Sequence, residues 1–321
     1  MRKLIDNWGR KIDYLRISVT DRCNLRCKYC MPEEGIEFKK HDDILKYEQI
    51  IKIVKIGKKL GIEKVRITGG EPLVRKDLSK LIKGLNMLNL KDISITTNGV
   101  LFAEQAAALK KAGLDRVNLS IDTLKKDKYK KITRRDRFED VISGIEAAFN
   151  FGFAPVKLNV VLMKGINDDE LLDFARLIID KPIHVRFIEY MPLGEEINGA
   201  VYYDMKKAKE KIEKEFKLEN TEVTGNGPAN YYKISGSKGS IGFISPISEH
   251  FCLECNRLRL TADGKFRPCL ARDLEVEIPD NFSEESIIEA YKKSISIKPI
   301  GHNFNFKDSV KKYRTMSQIG G

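Results

Sequence analysis

The sequence has no cysteine for more than 200 residues, between Cys30 and Cys252, and its six thiols sit in two groups of three near the ends. Disulfide frameworks of small secreted domains do not look like this, so that class is excluded. No run approaches 18 consecutive apolar residues, and Met1 to Arg10 lacks the apolar centre of a secretory leader. Both absences argue against a membrane span or export, and the expected location is the cytoplasm. Low-complexity tracts are missing, and aromatic residues make up 8% of the chain, with a single tryptophan. At 42% hydrophobic and 32% charged, 321 residues suit one large α/β domain, or a core domain with an appendage. Acidic residues are the scarcer sign: 46 against 58 basic ones leave a net charge of +12. An excess of that size points to an anionic partner, whether nucleic acid, a membrane surface or a polyphosphate. No nucleic-acid-binding motif or series of stacking aromatics accompanies it. Much of the lysine, such as Lys52, Lys55, Lys58 and Lys59, falls on one helix face as a solvated surface would.

From Tyr14 to about Met191, short β-branched runs alternate with longer helical patterns, as in repeated βα units on a parallel sheet. Six strands are expected, over Tyr14–Val19, Lys64–Thr68, Asp92–Thr97, Asp115–Ile121, Val156–Met163 and Ile183–Glu189. Between the first two, Tyr47–Gly61 places apolar residues at three-and-four spacing and ends in a capping glycine. Six units fall short of the eight of a closed barrel, so the expected fold class is α/β, a partial (β/α)6 TIM-like barrel. A doubly wound sheet is the runner-up. Past Gly194 the pattern changes to a lysine-rich helix over Asp204–Phe216, then hairpin-like runs, then the second cysteine group. Residues 1–200 are expected to form the barrel, and 201–321 a C-terminal extension.

Cys23, Cys27 and Cys30 form C-x3-C-x2-C directly after the first strand, in the loop where barrel enzymes place chemistry. Three thiolates can hold three irons of a [4Fe-4S] cube and leave the fourth open, whereas structural zinc wants four ligands and none follows before His41. Other polar turns end later strands: Thr68–Pro72 (TGGEP), Thr96–Gly99, Ser120–Asp122 and Glu189–Gly194. The two glycines of TGGEP allow close backbone approach to a ligand. Near the C-terminus, Cys252, Cys255 and Cys269 form C-x2-C-x13-C. Spacing leaves this second site open between zinc, with His250 as fourth ligand, and another cluster that lacks one cysteine. Arg16, Arg66, Lys157 and Arg186 lie on expected strands, where cations are uncommon away from edges. Their side chains are expected to face the barrel mouth.

The first motif, with Tyr29 just before its last cysteine, resembles the signature of the radical S-adenosylmethionine (SAM) superfamily. Both cysteine groups together with Asp13–Cys23, VRITGGEPLVR, RFIEYMPLG, NRLRL and the terminal Gly-Gly resemble the GTP 3′,8-cyclase family of molybdenum cofactor biosynthesis over nearly the whole chain. The resemblance implies two [4Fe-4S] clusters, on Cys23, Cys27 and Cys30 and on Cys252, Cys255 and Cys269, the second carried by the C-terminal extension. It implies that SAM is held by Tyr29, Gly70, Glu71, Ser120 and Met191, and cleaved to a 5′-deoxyadenosyl radical. GTP would be held by Arg16, Arg66, Thr97, Lys157, Arg186 and the Arg257-Leu258-Arg259 segment. Arg16, Arg257, Arg259 and the tail glycines Gly320 and Gly321 would act at the reaction centre. The implied reaction converts GTP to (8S)-3′,8-cyclo-7,8-dihydroguanosine 5′-triphosphate. A low-potential donor such as ferredoxin or flavodoxin would supply electrons, and cyclic pyranopterin monophosphate synthase would take the product. A homodimer is left open, and neither nucleic acid nor membrane is expected as a partner. The rivals are a radical SAM peptide-modifying enzyme, which generally carries more C-terminal cysteines, and a zinc-ribbon nucleic-acid-binding protein. His41, His184 and His302 receive no role.

Overall fold

The computed structural model describes residues 3–191, 201–225, 227–302 and 314–320. Six parallel strands form where alternation and β-branching place them: β1 (Tyr14–Ser18), β2 (Lys64–Thr68), β3 (Asp92–Thr97), β4 (Arg116–Ser120), β5 (Val156–Leu162) and β6 (Ile183–Glu189). They lie side by side in chain order. A doubly wound sheet would reverse that order at a switch point, so the partial barrel is the correct alternative. Crossovers are made by α1 (Tyr47–Lys59), α2 (Leu78–Asn86), α3 (Phe102–Ala112), the pair α4 (Lys126–Thr133) and α5 (Phe138–Asn150), and α6 (Leu171–Asp180). In α1 the buried side chains are Ile50, Ile53, Val54 and Ile56, one stripe at helical spacing, with Glu48 in the first turn and Lys58 and Lys59 in the last.

The remaining strands join the same sheet at both edges. After α7 (Met205–Glu213), the meander β7 (Leu218–Thr221), β8 (Asn230–Ile234) and β9 (Ser240–Ile244) docks β9 parallel to β6. Then β10 (Arg257–Leu260) pairs parallel with β1 and is followed by β11 (Lys265–Arg267) and β12 (Val276–Glu277). Among the described residues the result is one open sheet of twelve strands. Among the described residues, α8 (Glu284–Ser296) and α9 (Met316–Ile319) follow. The chain beyond residue 200 thus extends the barrel wall itself.

Parallel sheets usually bury apolar side chains on both faces. Here only the outer face does so: Leu15, Ile17, Val65, Ile67, Val117 and Leu158 belong to one continuous core beneath the helices. The alternate residues, among them Arg16, Arg66, Asn118, Asn159, Arg186 and Arg259, put polar groups on the inner face. An inner face of that chemistry lines a ligand chamber rather than packing shut.

Candidate active site: two cysteine triads on one cationic chamber

Both triads line one chamber of about 360 Å³, with Cys23, Cys27 and Cys30 on the wall after β1 and Cys252, Cys255 and Cys269 on the wall beside β10. The first loop is braced from its neighbour. Gly70 N–H donates to the Thr20 carbonyl and Glu71 N–H to that of Arg22, both at 2.8 Å. A Cβ on Gly70 would meet the Arg22 carbonyl oxygen at 2.5 Å, so the glycine permits the TGGEP backbone to pack against the cysteine loop. Glu71 accepts from the Thr97 hydroxyl at 2.7 Å, the Asn98 N–H at 2.6 Å and the Leu73 N–H at 3.0 Å. Burial nevertheless pushes its carboxyl up to about 7. The Tyr29 hydroxyl donates to Asp122 at 2.7 Å, and burial lifts Asp122 to about 6.

Burial raises all three thiols of the first triad, Cys23 to about 11 and Cys30 to about 12. Only thiolate ligates iron, so metal binding there releases protons. Donors already face these sulfurs: Asn98 Nδ2 reaches Cys23 Sγ at 3.8 Å, and the Ser317 N–H bonds Cys30. In the second triad burial raises Cys252, whereas at Cys255 burial is outweighed by Arg257 and Lys298, which bring it down to about 6. Lys298 Nζ lies 3.6 Å from Cys255 Sγ and also donates to the carbonyls of Arg257 and Pro268. Among the described residues, ligand atoms of His250, Cys252 and His302 come within 4.8 Å of one another, a tight group that includes neither Cys255 nor Cys269. A zinc ribbon would instead gather its cysteines around one ion.

Between the triads runs a row of guanidiniums. In register, Arg259 on β10 is beside Arg16 on β1, and Arg16 is beside Arg66 on β2. Burial and the charges of Arg259 and Arg66 hold Arg16 well below the usual arginine range, and burial brings Arg186 and Arg259 to about 10. Arg186 donates to Asn118 at 2.7 Å, while its Nε, the Tyr14 hydroxyl, Thr96 Oγ1 and Asn159 Oδ1 are buried without a hydrogen-bond partner among the described residues. All four residues line the chamber, and such orphans mark where a polar ligand completes the site.

Of the residues singled out from sequence, Arg16, Tyr29, Arg66, Gly70, Glu71, Thr97, Ser120, Arg186, Met191, Arg257 and Arg259 line this chamber together with all six cysteines. Lys157 is turned to the Thr224 carbonyl on a neighbouring loop, and burial, with Arg186, Arg116 and Arg66, lowers it to about 7. Leu258 is buried on the opposite face of β10, in the apolar core. Gly320 packs between Ser18 and Thr68, its carbonyl accepting from Arg259, while Gly321 and Pro192–Gly194 lie outside the described residues. Sequence reasoning missed Lys298, Asn98 and Ser317 as neighbours of the sulfurs. Lys298 sits alone in an apolar stretch, and nothing in the pattern marks it.

Residues 17–178 match the model of the radical SAM superfamily and residues 183–304 that of Molybdenum Cofactor Synthesis C. The fold resembles SuiB of Streptococcus suis, solved with its precursor peptide SuiA, at a TM-score of 0.60 and 17% identity over 90% of this chain and 67% of that one. Fold and cysteine loop together define a radical SAM enzyme with a second thiol triad. The GTP 3′,8-cyclases of Petrotoga mobilis and Moorella thermoacetica are 54% and 47% identical, spanning 99% and 98% of this chain and 100% and 99% of those proteins. The chain belongs to the GTP 3′,8-cyclase family. Its cofactors are two [4Fe-4S] clusters and SAM. The residues fit these groups: each wall offers three thiols where a ferredoxin cube uses four, and the orphaned polar atoms between them suit polar ligands. No helix among the described residues is long and apolar enough to cross a membrane.

Proposed function

We propose that this chain joins ribose C3′ of GTP to guanine C8 while holding GTP and SAM between its two triads. The observation that carries this reading is the Arg259–Arg16–Arg66 row. Like charges directly opposite on adjacent strands repel, and on a buried face only a multiply charged anion offsets that repulsion. A triphosphate has the charge and the oxygens for bidentate arginine contacts.

Cys23, Cys27 and Cys30 would hold the first cluster and Cys252, Cys255 and Cys269 the second. When bound, the first cluster and SAM supply the one-electron cleavage and the radical that takes the C3′ hydrogen. Tyr29, Gly70, Glu71, Ser120 and Met191 orient SAM beside the first triad. Arg16, Arg66, Thr97, Lys157, Arg186 and the Arg257–Arg259 strand bind GTP, Leu258 through its backbone. Arg16, Arg257, Arg259 and the tail glycines would act at the reaction centre. Residues 1–200 would form the radical SAM partial barrel and residues 201–321 the C-terminal region that carries the second cluster. We place the enzyme in the cytoplasm. Ferredoxin or flavodoxin would serve as its donor, and cyclic pyranopterin monophosphate synthase would take its product.

The decisive experiment is anaerobic incubation of reduced enzyme with SAM and GTP, followed by chromatography and mass spectrometry. The cyclic product is an isomer of GTP and separates by retention. SAM cleavage with GTP recovered unchanged would overturn the reading.

Arg66→Ala and Arg259→Ala should each weaken GTP binding by about 1.5–3 kcal/mol, the range for losing a charge-assisted hydrogen bond. SAM affinity should change little, and unaltered GTP affinity in both variants would remove the arginine row from the GTP site. Lys157 gives a pH signature. With its pKa lowered to about 7, the amine of the free protein is largely neutral at pH 8.5, and a bound triphosphate draws a proton onto it. GTP affinity should therefore fall as pH rises above 7. Calorimetry at pH 8.5 in two buffers of different ionisation enthalpy should show proton uptake, absent in Lys157→Met; equal uptake in both proteins would clear Lys157 of this role.

A further inference from the structure

The outer side of the Cys23–Cys30 loop carries a charged face that the GTP reaction leaves unused. Lys28, between Cys27 and Cys30, is exposed. Its N–H bonds the Ile132 carbonyl and that of Arg26 bonds Thr133, both at 3.0 Å, which fixes the end of α4 against the loop. Arg134 adds bonds to the carbonyls of Arg26 and Met31 at 3.3 and 3.0 Å. Residues 125–135, KKDKYKKITRR, hold seven cations and one anion.

The acids packed against this face do not cancel it. Asp169 pairs with Lys125 and Lys128, which also pairs with Glu170; Glu139 pairs with Lys126 and Asp136 with Lys130. Glu33 meets Arg134 at 3.6 Å. Lys28, Lys131, Arg135 and Lys164 are exposed and form no ion pair among the described residues. Here a concavity opens whose lining includes Lys28, Lys131, Ile132, Met163 and Ile166. Tyr29 lines both this concavity and the inner chamber, so one side chain belongs to the outer surface and to the cysteine site.

We propose that this face is the docking surface for the enzyme's electron donor, an acidic, low-potential one-electron carrier protein. The proposal rests on the reading that Cys23, Cys27 and Cys30 hold a [4Fe-4S] cluster. The carrier loses one electron and the cluster gains one; no bond forms or breaks and no proton moves. Transient redox complexes are small, and a basic rim around an apolar floor suits one by steering an acidic partner before a short-lived contact. Single-stranded nucleic acid would want exposed aromatic platforms, and Tyr29, the one aromatic among the described lining residues, has its hydroxyl committed to Asp122.

The test uses the reconstituted full-length enzyme and flavodoxin hydroquinone as the probe, with dithionite as a small reductant that needs no docking surface. The variants are Lys131→Glu and the double change K28E/K131E, with K52E/K55E on α1 as a charge-matched control. At an ionic strength of about 20 mM, flavodoxin-driven 5′-deoxyadenosine formation should slow by about tenfold or more in Lys131→Glu, and the difference should shrink at high salt. Dithionite-driven cleavage should stay within about twofold of wild type, because charge steering does not limit a reductant that reaches the cluster without a docking surface. An unchanged flavodoxin rate, an equal loss in the α1 control, or loss of dithionite-driven cleavage in Lys131→Glu would each overturn the docking surface. So would RNA or anionic vesicles binding at this face in place of flavodoxin. Wild-type enzyme that cleaves no SAM with either reductant would sink the cluster reading instead.

Discussion

Cys27→Ser is expected to abolish 5′-deoxyadenosine formation while Cys255→Ser keeps part of it. Cys27 is one of three thiols facing the chamber beside Tyr29 and Gly70, where SAM is proposed to bind, and a [4Fe-4S] cube held by three protein ligands has none to spare. Removing a group that merely supports a metal ligand costs roughly 10–100-fold, so losing the ligand itself should exceed about 100-fold. The same loss is expected of Cys23→Ser and Cys30→Ser. Cys255 stands on the opposite wall beside the arginine strand, where the ligand is GTP in our reading. Cys252→Ser, Cys255→Ser and Cys269→Ser should therefore lose cyclised product yet retain uncoupled SAM cleavage. Iron content checks that each variant has lost one cluster and kept the other, since each should keep about four of eight irons; the yields of 5′-deoxyadenosine and cyclised product separate the two outcomes. Full 5′-deoxyadenosine yield from any first-triad variant would overturn the assignment, as would equal loss of both activities in a folded second-triad variant.

Deleting Gly320 and Gly321 should leave both clusters, folding and GTP affinity largely intact while cutting cyclised product by roughly 100-fold, the scale of a misplaced reacting group. Residues 314–320 are held in place rather than frayed. Arg314 grips Asp263 through two bonds of 2.9 and 2.8 Å, a capping box at Thr315 and Gln318 starts α9, and the Ser317 N–H reaches Cys30. Gly320 then adopts φ +81° where a Cβ would meet Thr68 Oγ1 at 2.6 Å and Ser18 Cβ at 2.9 Å. Gly320→Ala should therefore mimic the deletion in part, because the left-handed backbone and the narrow gap both disfavour a side chain. Cyclic product and 5′-deoxyadenosine measured together give the answer. Wild-type product yield from the truncated enzyme would return the tail to an inert terminus.

The six barrel strands were legible in the sequence to within a residue or two, because a strand with one apolar and one polar face must alternate and its crossover helix must carry a stripe at three-and-four spacing; both are local demands. Cys23, Cys27 and Cys30 were legible for a similar reason, since three thiols within a single loop carry their spacing in the sequence. Arg16, Arg66 and Arg186 were visible as cations out of place on strands, whereas Arg259 came only from the family resemblance, and the order of the row was not visible at all. That Arg259 stands beside Arg16, and Arg16 beside Arg66, follows from β10 pairing with β1 across more than 240 residues of chain, a contact with no local signature. Lys298 beside Cys255 and Ser317 beside Cys30 are of the same kind. The sequence by itself determined which chemistry is present, through residue types and short spacings. Only the tertiary structure decided that both triads, the guanidinium row and the tail share one chamber, because that depends on long-range strand pairing, whose register is set by burial of the outer apolar face rather than by any neighbouring residue.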